Sequence, residues 1–333
     1  MNRQSRGQAL SLSLAAFSAA LHQRPGISVT RLPPLPDTRQ QTLKAAISCV
    51  GVGLHSGRKV AMTIRPAAID HGIVFRRTDL SVDLPARFDY VADTRLCTVL
   101  ANETARIGTV EHLMAAFFGI GIDNALVEID GPELPILDGS AQPLVFLLDC
   151  AGRMAQAAPR QVIEILRPVR VSEGDGFAEL RPASSGFELS VAIDFPAAAI
   201  GRQAVSLRLI PEIFRADIAP ARTFAQLAEV DALRRAGFAQ GGSLENAIIV
   251  DGARVLNPGG LRGTDEFVRH KLLDVIGDLA LAGAPIQGRF IGHRMGHALN
   301  NTLLRNLMAD KTAWQLVTQT AISQSAIEHA VAA

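Results

Sequence analysis

The stretch Asp-Glu-Phe-Val-Arg-His-Lys-Leu-Leu-Asp, residues 265–274, decides how this chain is read. Thr264 is placed to cap a helix with Asp265 and Glu266 in its first turn. Apolar Phe267, Val268, Leu272, Val275, Ile276 and Leu279 recur along it, and it should stop near Gly283 and Pro285. Four-residue spacing turns His270 and Asp274 to the same side of such a helix and continues to Asp278, giving a polar row on a mostly apolar element. Buried polar groups are costly unless satisfied. Alone, a His-x-x-x-Asp pair is more often a hydrogen-bonded helical contact. Here, however, His112 offers a third metal ligand, and Glu111 beside it stands where a base for a metal-activated water belongs. Lys271 flanks the row, and Gly292-His293-Arg294-Met295-Gly296-His297 adds two histidines among glycines, a setting that allows close approach by a ligand. The pattern points to a zinc hydrolase.

Outward from this helix, the first half reads as sheet and helix in turn. Val60, Met62 and Ile64 alternate with smaller or polar neighbours, Gly72 to Arg76 follows as a short strand, and Ala125 to Ile129 as a buried one. Thr109 is a candidate cap for a helix through Glu111, His112 and Ala116 to Phe118, stopped by Gly119 and Gly121. A turn-rich loop through Pro135 and Gly139 leads to an apolar helix over 142–154, and 157–161 reads as a linker. In the second half, strands are predicted over 162–171, 177–181 and 187–195, the last two as a hairpin through Ala-Ser-Ser-Gly. A helix over 224–236 follows, then a hairpin around Asp251-Gly252, and an amphipathic helix carrying Leu299, Leu303, Leu304 and Leu307 closes the core. The predicted class is α+β: two similar domains, 42–157 and 162–325, each an antiparallel-rich sheet layered with helices, with the site in the cleft between them.

Composition narrows the function. With 333 residues, 48% of them hydrophobic, the chain can bury a large core, and a formal net charge of +1 leaves no basic footprint for nucleic acid. Cys49, Cys97 and Cys150 lack CxxC spacing, so neither a disulfide framework nor a thiolate metal site is indicated, and a reducing cytoplasm fits best. Arg3 and Arg6 before the serine-rich apolar stretch 9–21 resemble a targeting peptide. Its interruptions and the lack of a small-residue cleavage site favour a poorly ordered extension over residues 1–41, or a start assigned too early. No segment has the roughly 18 uninterrupted apolar residues of a membrane span.

Several ordered motifs carry a specific resemblance. They are Gly-Val-Gly-Leu-His-Ser-Gly at 51–57, Thr-Val-Glu-His-Leu at 109–113, Leu-Pro-Ile-Leu-Asp-Gly-Ser-Ala at 134–141, Ala-Arg-Thr-Phe at 221–224, Gly-Gly-Ser at 241–243, the 265–274 stretch, and Gly-His-Ala-Leu-Asn-Asn at 296–301. Over about residues 42–320 the chain resembles the UDP-3-O-acyl-N-acetylglucosamine deacetylases, zinc amidases committed to lipid A synthesis. The resemblance implies that His112, His270 and Asp274 bind Zn2+ and leave a fourth position open. Glu111 would be the general base, and Thr223 would help stabilise the oxyanion. His297, protonated and oriented by Asp278, would be the acid that serves the departing nitrogen.

Lys271 resembles the family's contact to the nucleotide phosphates, and His55 and Phe224 resemble substrate contacts near the pocket. The acyl chain would need an apolar passage, for which Phe224, Leu227, Leu233, Ala236, Phe238, Ile248 and Val250 offer surface. Each residue also has a plainer reading. Thr223 could cap the helix expected from Phe224, Lys271 could be a solvated helix-face lysine, and His55 a surface histidine. His293 reads as structural, and His22, His71 and His329 as exposed. The expected partner is the sugar-nucleotide substrate. A monomer without a transmembrane segment is expected, with peripheral membrane association left open. Competing readings are a zinc amidohydrolase for another acylated amine and a binding protein without turnover; the presence of Glu111, His297 and Thr223 argues against the latter. Iron could replace zinc in the same ligand set.

Overall fold

Strict alternation of buried and open side chains builds the two main sheets. Val60, Met62 and Ile64 face inward from Lys59–Pro66, and Phe187, Leu189, Val191 and Ile193 from Phe187–Asp194, as period-two strands with one buried face require. The computed structural model describes residues 38–319. His22, His329 and the expected extension up to residue 37 lie outside the described residues. Residues 39–41 of that extension belong to a strand, Arg39–Leu43, which pairs antiparallel with Arg153–Pro159. The stretch expected as a linker therefore begins in a strand and continues directly into the next, Gln161–Ile165.

The first sheet has five strands in the order Ile47–Val52, Lys59–Pro66, Ala125–Ile129, Ile73–Arg77 and Val82–Pro85. All its pairings are antiparallel except that of Ile73–Arg77 with Ala125–Ile129. The second has seven strands organised around Ile286–His293. A hairpin between Gly176–Arg181 and Phe187–Asp194 is overturned here. Ile286–His293 lies between them, antiparallel to the first and parallel to the second. Its own alternation, with Ile286, Gly288, Phe290 and Gly292 buried, suits an interior strand, which local turn chemistry at 183–186 could not reveal. The strand predicted over 162–171 is two, Gln161–Ile165 and Val169–Glu173. The Asp251-Gly252 hairpin is present, with Asp251 opposite Arg254 and Gly252 at φ 58°, where glycine carries no steric penalty.

Five helices matter to the site: α1 (Glu111–Ile120), α2 (Gln142–Ala151), α3 (Leu227–Arg235), α4 (Glu266–Ala280) and α5 (His297–Ala309). α4 and α5 lie on the seven-stranded sheet, α2 on Ile47–Val52, and α1 packs against both α2 and α4. This mixed α+β layering matches the expected class. α1 and α4 are buried almost all round and form the most extensive element pair in the fold. Their approach is set by backbone, not side chains: a β-carbon on Gly277 would lie 2.0 Å from the Glu111 carbonyl oxygen. Gly277→Ala should therefore push α1 and α4 apart and lower the unfolding free energy by about 1–3 kcal/mol or more, measured by urea denaturation. Stability equal to the parent would show that the helices have room to separate.

Candidate active site

α4 is anchored at its start by a buried ion pair. Glu266 receives two bonds from the Arg222 guanidinium, at 2.8 and 3.1 Å, and a third from the Arg222 backbone N–H at 3.1 Å. The Arg262 N–H adds a bond of 2.6 Å to the same carboxylate. The segment 221–224 is thereby fixed along the helix, and the Ala221 carbonyl lies 3.1 Å from His270 Nδ1. Because a carbonyl only accepts, this nitrogen carries the proton and Nε2 is left for the site.

His270 Nε2 lies 3.4 Å from Asp274 Oδ1, and His112 Nε2 lies 3.9 Å from the same oxygen. The two rings meet edge to face, with centroids 5.1 Å apart. All three residues are buried, and one ligand atom from each lies within 4.8 Å of the others. Burial first, and then the neighbouring His270, drive His112 down to about 3. Burial also lowers His270. Burial acts to raise Asp274, but the Lys271 ammonium, 2.8 Å away, and the surrounding histidines hold its carboxyl well below the usual range. Two neutral imidazoles and one ionised carboxylate are the protonation states metal binding requires. The set therefore fits a divalent transition metal, with nitrogen and oxygen donors and the tautomer of His270 already fixed.

A second group faces this set. Glu111, on the first turn of α1, is buried; its Oε2 accepts the Thr98 backbone N–H at 3.0 Å and its Oε1 lies 4.0 Å from His297 Nε2. Burial pushes the Glu111 carboxyl up to about 7, with His297 opposing the rise and Asp274 and Asp278 adding to it. His297 opens α5, and its Nδ1 is 2.8 Å from Asp278 Oδ2. Burial works against its protonation, but the Asp278 charge and hydrogen bond, with Glu111 and Asp274 behind them, lift it to about 10. A basic group and an acidic group thus stand on opposite sides of one small space.

The described structure brings together His112, His270, Asp274, Glu111, His297 and Asp278. Thr223 caps nothing: Phe224–Gln226 is a short strand parallel to Ile248–Asp251, and the helix begins only at Leu227. Thr223 is instead held by its backbone, donating to the Gly139 carbonyl at 2.8 Å and accepting from Ile248 N–H at 2.8 Å. Thr109 is not a cap either. Its φ is 57° and its hydroxyl turns to Glu133 at 3.0 Å, leaving Val110 at the helix start. Phe224 stacks edge-on between Phe195 and Phe267 and also meets the His270 ring. Lys271 is only part-buried, and with Phe195, Arg294 and Met295 it borders a cavity of about 360 Å³.

His55 sits in a turn whose backbone N–H groups at 55 and 56 donate to Glu133 at 2.8 and 2.7 Å, while both its ring nitrogens are buried without a partner. It borders an apolar cavity of about 450 Å³. Leu233, Ala236 and Phe238 line that cavity, together with Leu96, Cys97 and Val99 of the first half. Ile248 and Val250 are buried in their strand, and Leu227 is exposed. His71 is exposed, and His293 packs in a strand against Phe177.

Among known proteins, the family described as UDP-3-O-acyl N-acetylglycosamine deacetylase matches residues 40–309. This chain belongs to that family. It is 51% identical over 283 residues to a UDP-3-O-acyl-N-acetylglucosamine deacetylase of Acidithiobacillus ferrooxidans, an alignment covering 84% of this chain and 93% of the relative. Proteins with the same description from Idiomarina loihiensis and Shewanella baltica are each 50% identical, again over 84% of this chain and over 93% and 92% of their own lengths. The site geometry thus belongs to a family of deacetylases.

Several groups here had no signal at the level of sequence. Thr98 meets Asp278 across 180 residues, and Glu133 and Phe195 also meet their partners through the fold and not through local spacing. Asn300 had one, standing one helical turn after His297; its amide donates to Asp278 at 2.8 Å. Metal-stripped protein should take up one divalent transition ion per chain. At free ion about 100-fold above the dissociation constant, uptake should add about 2.7 kcal/mol of stability, read as a shifted unfolding midpoint. Asp274→Asn should abolish the shift, whereas an unchanged shift would exclude this ligand set.

Proposed function

We propose that this deacetylase hydrolyses the N-acetyl group of UDP-3-O-acyl-N-acetylglucosamine, releasing acetate and the free amine, as a zinc-dependent step of lipid A biosynthesis. The observation that carries the reading is the opposition of Glu111 Oε1 and His297 Nε2, 4.0 Å apart, beside a buried His/His/Asp set. The descriptions of the relatives support the substrate. Zinc, when bound, makes water nucleophilic near neutral pH and polarises the acetamide carbonyl.

The chain's own groups do the rest. Glu111 accepts the proton of the attacking water through Oε1, while the Thr98 N–H holds Oε2 in place. Thr223, beside the Ala221 carbonyl that orients His270, donates its hydroxyl to the developing oxyanion. His297 then gives the proton on Nε2 to the departing glucosamine nitrogen, its Nδ1–H being held by Asp278. Lys271, the Arg294 guanidinium and the Phe195 ring suit a nucleotide diphosphate and its base in the cavity of about 360 Å³. The apolar walls of the cavity of about 450 Å³, with His55 at its border, suit the acyl chain. No helix among the described residues is long and apolar enough to cross a membrane, and we place the reaction in the cytoplasm.

Zinc-loaded protein incubated with UDP-3-O-(hydroxyacyl)-N-acetylglucosamine should release acetate. Glu111→Ala and His297→Ala should each lower kcat by about 10²–10⁴-fold. Full activity in both variants would refute these roles, and turnover only of another acylated amine would refute the substrate. The rate should be bell-shaped in pH. It rises as Glu111, raised to about 7 in the metal-free site, loses its proton, and falls as His297, raised to about 10, loses its own. A bound cation favours the deprotonated form of both groups, so both limbs should lie below those values. A profile flat from about pH 5 to 10 would contradict the pair.

A further inference from the structure

We infer that Thr98 is a positioning residue that ties the base to the acid's partner across the site. Thr98 precedes the strand Val99–Ala101 and is 2% exposed. Each of its polar groups is committed to the reacting elements. Its backbone N–H donates to Glu111 Oε2 at 3.0 Å, its hydroxyl donates to Asp278 Oδ1 at 2.5 Å, and its carbonyl accepts the Val110 N–H at 3.3 Å, where α1 begins. One residue thereby fixes the carboxylate of α1 and the carboxylate of α4 relative to each other.

The remaining bonds of Asp278 explain why the hydroxyl matters. Asp278 Oδ2 is shared by His297 Nδ1 and the Asn300 amide, each at 2.8 Å, so Oδ2 is saturated by α5. The bond from Thr98 to Oδ1 is what sets the rotation of the carboxylate about its own axis. Without it, Oδ1 sits in a buried site with no donor from the protein, and the carboxylate is free to turn away from the geometry that aims His297 at Glu111. The same residue restrains Glu111 through a bond that survives any side-chain substitution, because the donor is backbone. Loss of the hydroxyl should thus affect the acid side alone.

This inference rests on the acid–base roles proposed above. Thr98→Val keeps the shape and the backbone N–H but removes the hydroxyl, and Thr98→Ser restores it. With holoenzyme and the sugar-nucleotide substrate, Thr98→Val should lower kcat about ten- to a hundred-fold with KM little changed. Thr98→Ser should recover most of the loss, and Thr98→Val combined with His297→Ala should be no slower than His297→Ala alone. Should Thr98→Val not fold, Thr98→Ala takes its place. Wild-type kcat without the hydroxyl, a raised KM at unchanged kcat, a Ser variant as impaired as the Val variant, or a double variant slower than His297→Ala would each overturn the inference. Glu111→Ala and His297→Ala assayed alongside separate the two levels. If they are crippled and Thr98→Val is not, only the role of Thr98 falls; if they are fully active, the acid–base reading and this inference fall together.

Discussion

The close approach of two helix backbones at Gly277 underlies everything else in this fold. The Glu111 carbonyl occupies the position that any side chain at 277 would need. Only at that separation do His112 from α1 and His270 and Asp274 from α4 present their ligand atoms within 4.8 Å of one another. The candidate ligands are thus assembled by packing between distant parts of the chain, and rigid helices, not loops, hold them in place.

The electrostatics follow from that packing. Three buried carboxylates, Glu111, Asp274 and Asp278, surround the space, balanced within the protein by Lys271 and His297. Burial acts to raise both Glu111 and Asp274. Local partners decide each case separately. Lys271 keeps Asp274 ionised, whereas Glu111, with only a backbone donor and His297 4.0 Å away, is lifted to about 7. Two titratable groups with environments that separate their proton affinities are what acid–base catalysis needs, and Glu111 and His297 are the pair we propose for it. The same burial that raises Glu111, and that the neighbouring carboxylates overcome at His297, also strengthens any interaction with a cation placed between the imidazoles.

Helical periodicity made much of this readable in advance. The polar row His270–Asp274–Asp278 and the Leu299–Leu307 stripe were legible because 3.6-residue spacing is a local property. The same was true of the Asp251-Gly252 hairpin. The partition of Gly176–Arg181 and Phe187–Asp194 was not legible, since the strand that separates them arrives about a hundred residues later. The cap expected at Thr109, and the plainer capping reading of Thr223, fail for a related reason. Both threonines have the right residue type one or two positions before an element, but tertiary partners, Glu133 in one case and the backbone of Gly139 and Ile248 in the other, claim them. His112 is a candidate third ligand because Glu111 stands beside it, but only the family resemblance implies its pairing with His270 and Asp274, since no spacing rule joins positions so far apart.

In the site we propose, one divalent cation is held jointly by α1 and α4. X-ray absorption spectroscopy of the zinc-loaded protein tests it most directly. The spectrum should show nitrogen and oxygen ligands at about 2.0–2.2 Å with multiple-scattering features of two imidazoles, and His112→Ala should lose one imidazole. A sulfur shell near 2.3 Å, or a spectrum unchanged by His112→Ala, would contradict it.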